Sequence, residues 1–294
     1  MDTIRYDLKT LNRQFQLASK QRTASANNLI ALLEQSFPGI RKCFDSPVRS
    51  DGTQKWVDFA HTFWHVDCVR KQSLNAYSER YRKWCRRHGY IFKQSNAEEV
   101  YSLAKNAVVL VPKPEVTKVL VQEAANQLTS ISRSVETYRA EMERLASMLP
   151  EYPVVMEMYG VGKSFGPQLM AEIGDVRRFE RKQSLVAFAG IDPIPNQSGD
   201  KNVRSNKSSK RGSPYLRKTL FNVMGIYLKC SPQDEPVYQF LDRKRSEGKP
   251  FYVYMTAASN KFLRRYYAKV RDYLATLEDL SPVDMDSTGL QTLD

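Results

Sequence analysis

Three places in the chain hold residue types whose spacing suits chemistry. The first is "NQSGDKNVRSNKSSKRGSPYLRK", residues 196–218. From Lys201 to Lys218 it carries seven cations (Lys201, Arg204, Lys207, Lys210, Arg211, Arg217 and Lys218) and no carboxylate, so nothing inside the stretch neutralises them. The natural counter-charge is a polyanion such as a nucleic-acid backbone; a solvated basic loop has the same composition. The second is "YGVGKS". Gly160 and Gly162 permit a tight turn and close backbone approach. A helix opening at Lys163 and Ser164 would then present unpaired N–H groups and a positive dipole end to a phosphate. A plain helical corner would read the same way, and the spacing is not that of a Walker phosphate loop. The third is the pair His65-x2-Cys68 and Cys85-x2-His88, which has zinc-ligand spacing but sits in helical sequence, where core cysteines and aromatic-packed histidines are the alternative.

The elements that must position these residues read as mainly α. Over residues 116–149, Val121, Ala124, Leu128, Ile131, Val135, Tyr138, Met142, Leu145 and Leu149 recur three and four apart, a heptad seam with its charge off the stripe. Ile4, Leu8, Leu11, Phe15, Ala18, Leu29 and Leu32 repeat the pattern less cleanly at the N-terminus. The expected organisation is a long coiled-coil helix pair, residues 1–37 and 115–149, around an aromatic-rich helical insert, 38–114. A helical C-terminal domain containing a helix-hairpin-helix follows over 150–278, then a polar, acidic and disordered tail, 279–294. Within the C-terminal domain, "EYPVVMEMYGVGKSFGPQLMAEIGD" reads as helix, Gly-Val-Gly turn, helix. A further helix stops at Gly190, and "SPYLRKTLFNVMGIYLK" opens a new one with Ser213 as N-cap and Pro214 in its first turn.

The totals bound the class. With 45 basic against 32 acidic residues the net charge is +13, which favours nucleic acid as partner ahead of an anionic membrane surface. No apolar run approaches a membrane span. The charged N-terminus is no signal peptide, and four widely spaced cysteines form no disulfide framework, so a reducing, cytoplasmic setting is expected.

The combination "YGVGKSFGPQLMAEIGDVRRFERKQSLVAFAGIDP", then "QSG", then "SKRGSPYLRKTLF", with "EGKPFYVYMTAASNKFLRRYY" further on, resembles the C-terminal domain of the bridge-RNA-guided DEDD transposases. These form the insertion-sequence one-ten family, which includes the Piv-type DNA invertases. The long helices resemble that family's coiled-coil region and 151–275 its transposase domain.

The resemblance implies a transposase or site-specific DNA recombinase that binds DNA and a structured guide RNA and self-associates through the coiled coil. It also implies that Ser198 of "NQSGD" is the nucleophile of a composite active site, with the cations after it holding the nucleic-acid backbone. Ser205, Ser208, Ser209 and Ser213 stay open as alternatives, and a turn role suits Ser198 equally well. Family members carry an N-terminal RuvC-like domain whose four carboxylates (Asp, Glu, Asp, Asp) bind divalent metal. That domain is not visible in these residues, so a truncated form is expected, with no cofactor of its own and Mg2+ expected only alongside the carboxylate domain. Two readings from other classes remain open here: a non-catalytic helix-hairpin-helix scaffold that binds nucleic acid, and a zinc-stabilised interaction protein.

Overall fold

The structure is a computed structural model that describes residues 3–110, 115–193 and 208–279, together with the backbone of 197–198 and 201–202. The chain is mainly α and divides into two units, one formed by residues 13–140 and the other by 1–12 and 141–294. The division falls inside the two longest helices, α1 (Thr3–Ser36) and α6 (Glu115–Ala146), rather than at their ends. The expected tail lies almost wholly outside the described residues.

The unit formed by residues 13–140 sets most of α1 and α6 around a helical insert. The insert comprises α2 (Lys55–Thr62), α3 (Asp67–Arg70), α4 (Leu74–Arg87) and α5 (Gln94–Asn106). Its aromatic richness is a core. Phe59 stacks on Phe63 with ring centroids 4.7 Å apart, Tyr81 stacks on Trp84 at 5.7 Å, and Phe37 meets Phe59 edge-on at 6.2 Å. Such pairs add to the transfer free energy of burying large rings. Leu29 and Leu33 of α1 and Val121, Ala124 and Leu128 of α6 join the same buried cluster.

Gly52 shows how closely the insert meets α6: its φ is +85°, and a Cβ there would lie 2.4 Å from the Arg133 backbone nitrogen. Arg133 Nε donates to the Asp51 carbonyl at 3.0 Å, and Arg22 pairs with Glu136 across α1 and α6. The seam residues Val121, Ala124, Leu128 and Val135 are thus buried by the chain's own packing. The apolar residues that α6 leaves exposed, Val116, Val119 and Leu120, lie off that seam.

The second unit joins the first turns of α1 to a set of further α-helical segments. These are the end of α6, α7 (Tyr152–Met156), α8 (Gly162–Ile173), α9 (Lys182–Ala189), α10 (Pro214–Cys230), α11 (Pro236–Ser246) and α12 (Phe251–Asp279). α8 is buried from Gly166 to Ile173, and α12 supplies Phe262, Leu263, Tyr266, Val270 and Leu274 to the core.

Two buried carboxylates tie the segments together. Glu151 forms a bidentate pair with Arg5 of α1, and Glu172 of α8 accepts from Asn12 Nδ2 at 2.7 Å and from Ser213 Oγ at 2.8 Å. A carboxylate removed from water needs such donors, and losing one would leave charge uncompensated. Ser213 accepts from Leu216 N as the N-cap of α10 while it donates to Glu172, so this pair fixes where α10 begins.

Candidate nucleic-acid interface

The described parts of the basic stretch, which we call the arm, are held by backbone pairing. The chain leaves α9 through Gly190, whose φ of +65° ends the helix in the left-handed conformation. It then runs antiparallel to its own return. Lys210 N donates to Gly190 O at 3.0 Å, Ser209 N donates to Asp192 O at 2.9 Å, and Pro193 bridges Ser208. β1 (Gln197–Ser198) pairs antiparallel with β2 (Lys201–Asn202), with Ser198 opposite Lys201.

The base of the arm is held tightly. Ser213 N donates to Phe188 O at 2.8 Å, and Arg217 NH1 donates to Ala189 O at 3.0 Å. A Cβ on Gly212 would lie 2.0 Å from Phe188 O, so only glycine fits at this crossing. Lys210 adopts a φ of 53°, an unusual backbone for a residue with a side chain. The arm thus leaves the helical body from a fixed root.

The root also separates the serines. Ser209 donates to Asp192 Oδ1 at 2.5 Å, and Ser213 is committed to Glu172 and the α10 cap. Both hydroxyls have structural employment. Ser205 lies outside the described residues, and only the backbone is described at Ser198.

The cations divide in a similar way. Lys210, Arg211 and Lys218 are exposed, whereas Arg217 is partly buried and bound to the α9 carbonyl, so it fastens the arm. Lys201 is described as a backbone partner of Ser198, and Arg204 and Lys207 lie outside the described residues.

Between α7 and α8 the chain turns at two glycines. Gly160 (φ +75°) and Gly162 (φ +52°) are both left-handed. A Cβ on Gly160 would press on the Tyr227 ring at 3.3 Å, while the space around Gly162 is open. Lys163 is exposed on the first turn of α8, and the Ser164 carbonyl accepts from Gln168 Nε2 at 2.7 Å.

The histidine–cysteine set belongs to the other unit and does not gather. His65 is buried, with Nδ1 accepting from Asp67 N at 3.1 Å; His88 stacks on Trp84 at 4.6 Å and donates from Nδ1 to the Trp84 carbonyl. Cys85 is buried, and burial pushes its thiol up. Among the described residues no three His, Cys, Asp or Glu side chains cluster as metal ligands.

Sequence reasoning missed two features of this unit. One is the strand pairing of the arm, whose signal was available: two residues of Gly-Asp type between short polar strands are a hairpin connection. The other is the buried pair Glu151 and Glu172, which no local pattern announces because their partners, Arg5 and Asn12, are remote in sequence.

The described surface of this unit thus combines a rooted segment bearing exposed Lys210 and Arg211 with an open turn at Gly162. Residues 152–239, which hold the turn and the whole arm, match the family model for the transposases IS116/IS110/IS902. The chain is also 25% identical over 186 residues to an insertion element IS900 uncharacterized 42 kDa protein of Mycobacterium paratuberculosis, a match covering 62% of this chain and 46% of that one. It is 31% identical to the transposase for insertion sequence element IS1111A of Coxiella burnetii, over 41% of this chain and 32% of that one. It is 30% identical to the pilin gene-inverting protein of Moraxella bovis, over 45% and 38%. The chain thus spans less than half the length of each of these relatives. Among the described residues no helix is long and apolar enough to cross a membrane.

Proposed function

We propose that the chain acts in DNA transposition or site-specific recombination of an insertion sequence, binding DNA and a structured guide RNA, with Ser198 as the nucleophile for strand cleavage. One observation carries the reading: the arm that holds Ser198 opposite Lys201 stands on a fixed root inside the stretch that matches the transposase family. The Ser198 hydroxyl attacks a backbone phosphorus. A phosphoserine ester forms, one P–O bond to a sugar breaks, and the departing sugar oxygen takes up a proton. Attack by a sugar hydroxyl on that ester reseals a strand and returns the serine.

Mg2+, held by a four-carboxylate domain, would lower the barrier by neutralising charge on the phosphate. This chain's own residues hold and orient the strand. Lys210, Arg211 and Lys218 contact phosphates, Arg217 keeps the arm in place, and α7–turn–α8 acts as a helix-hairpin-helix with Gly160, Gly162, Lys163 and Ser164 on the backbone. Self-association through the faces of α1 and α6 that the seam leaves uncovered would bring two copies to two DNA partners.

The test is a magnesium-dependent cleavage assay on a cognate junction with a four-carboxylate domain supplied in cis or in trans, read as a covalent protein–DNA adduct on a denaturing gel. Ser198→Ala abolishes the adduct and leaves DNA affinity nearly unchanged. An adduct that persists in Ser198→Ala moves the nucleophile elsewhere, with Ser208 the next candidate, because Ser209 and Ser213 are engaged in the root.

A further inference from the structure

Three consecutive bulky residues at the start of α12 are neither core nor arm. Phe251, Tyr252 and Val253 are 47%, 73% and 51% exposed. They are not isolated. Phe221 of α10 lies with its ring centroid 6.3 Å from that of Tyr252, and Phe251 lies 5.3 Å from Tyr252 and 5.4 Å from Tyr254. Tyr254 is buried at 9% exposure, so the aromatic group is anchored in the core along one edge and open along the other.

The chain on either side of the rings is rich in cations: there is no Asp or Glu in sequence from Ser208 to Gln233, nor from Gly248 to Arg271, and Glu247 lies just before the second stretch, beside Lys249. Lys218 is exposed one turn before Phe221 on α10, and Lys249 is exposed two residues before Phe251.

An exposed apolar surface of this kind calls for an occupant, and the charge around it says which. A net excess of cations complements a phosphate backbone. Aromatic faces complement a base, but only one that has left its stack, since every base of a duplex already has both faces covered. We propose that Phe221, Phe251 and Tyr252 form a stacking platform for an unpaired nucleotide of a DNA strand, with Lys218 and Lys249 taking the flanking phosphates. The inference rests on the recombination reading above and adds to it: strands that part during exchange expose bases, and the platform holds one of them beside the root of the arm.

The test uses the full chain and fluorescence anisotropy with labelled oligo-dT, a duplex of equal length and oligo-U. Tyr252→Ala weakens oligo-dT binding about 5- to 50-fold, the loss expected for one stacked base. Duplex affinity and the salt slope stay as they were, and Tyr252→Trp restores oligo-dT binding. A 5-iododeoxyuridine oligonucleotide photocrosslinks to the peptide holding Tyr252.

Equal losses on duplex and oligo-dT overturn the platform, as does an unchanged oligo-dT affinity or a crosslink confined to other peptides. A greater loss on oligo-U than on oligo-dT overturns the assignment to DNA. A smaller mass by light scattering in Tyr252→Ala assigns the patch to contact between copies instead. If wild type binds the duplex but Tyr252→Ala leaves oligo-dT binding unchanged, the platform alone fails. If wild type binds neither DNA, the recombination reading fails with it.

Discussion

Replacing Gly212 by alanine tests whether the root of the arm matters to both fold and binding. The added Cβ would sit 2.0 Å from Phe188 O, 2.5 Å from Phe188 C and 2.6 Å from Gly190 N, all backbone atoms that cannot rotate away. Real Cβ contacts essentially never fall below 3.0 Å, so the two chain segments must part by about 1 Å. Gly212 has no left-handed φ, so the penalty is contact alone. Parting the segments stretches the 2.8 Å bond from Ser213 N to Phe188 O beyond useful length. Overpacking costs about 1–3 kcal/mol, and the lost hydrogen bond adds about 1 kcal/mol. A total of about 2–4 kcal/mol should lower the melting temperature of this unit by roughly 5–10 °C. If the arm binds nucleic acid from its fixed root, DNA affinity at low salt falls as well. Gly225→Ala is the matched control: no heavy atom lies within 4 Å of an added Cβ there, on the same α10, so it should stabilise by about 1 kcal/mol. The two variants are compared by scanning fluorimetry and anisotropy titration. A Gly212→Ala protein that melts like wild type refutes the packing argument. One that melts early yet binds DNA normally removes the arm from the binding surface.

Replacing Lys207, Lys210 and Arg211 by alanine should reduce the salt slope of DNA binding by up to about three, one per phosphate contact; an unchanged slope in an anisotropy titration refutes those contacts. Val135 is 2% exposed on the seam, so Val135→Asp buries a charge and should cost several kcal/mol, seen as early loss of helical circular dichroism; a normally folded variant of smaller mass would show instead that the seam pairs two copies. Burial, reinforced by Glu99, pushes the Cys43 thiol up to about 12, so iodoacetamide at neutral pH should label exposed Cys230 well before Cys43. The raised thiol also sets a sign for pH: its contribution is complete below the ordinary value of 9.0 and is lost as pH rises toward about 12, so Cys43→Ala should flatten the alkaline fall in stability.

Much of the fold was legible because it is written in local periodicity. The three-four spacing from Val121 to Leu149 marks α6, Ser213 before Pro214 marks the start of α10, and Gly190 marks the end of α9. The insert was legible as a helical segment but not as an aromatic core. Which faces of Phe59, Phe63, Tyr81 and Trp84 meet depends on α2 and α4 closing on one another, and neither helix alone encodes that. The seam was legible as apolar and regular, yet regularity does not say what covers it. In the structure Leu29, Leu33 and the insert occupy its first part, as Gly52 against the Arg133 backbone makes plain.

The candidate site divides along the same line. Residue type and spacing were enough to mark the cations and the glycine turn, because charge density and backbone freedom are local properties. They were not enough to separate cations that face outward from one that faces inward. Arg217 belongs to the same basic run as Lys218, but its guanidinium spans the root to the Ala189 carbonyl. The serines follow the same logic. Five of them lie within sixteen residues, and sequence ranks none by chemistry. Long-range contacts engage Ser209 with Asp192 and Ser213 with Glu172. A hydroxyl held by a buried carboxylate that also fixes a helix start cannot leave to attack phosphorus without undoing that start. The contacts of the arm's root therefore account for Ser209 and Ser213 structurally, a distinction that depends on Asp192 and Glu172 and that the serine spacing alone does not carry.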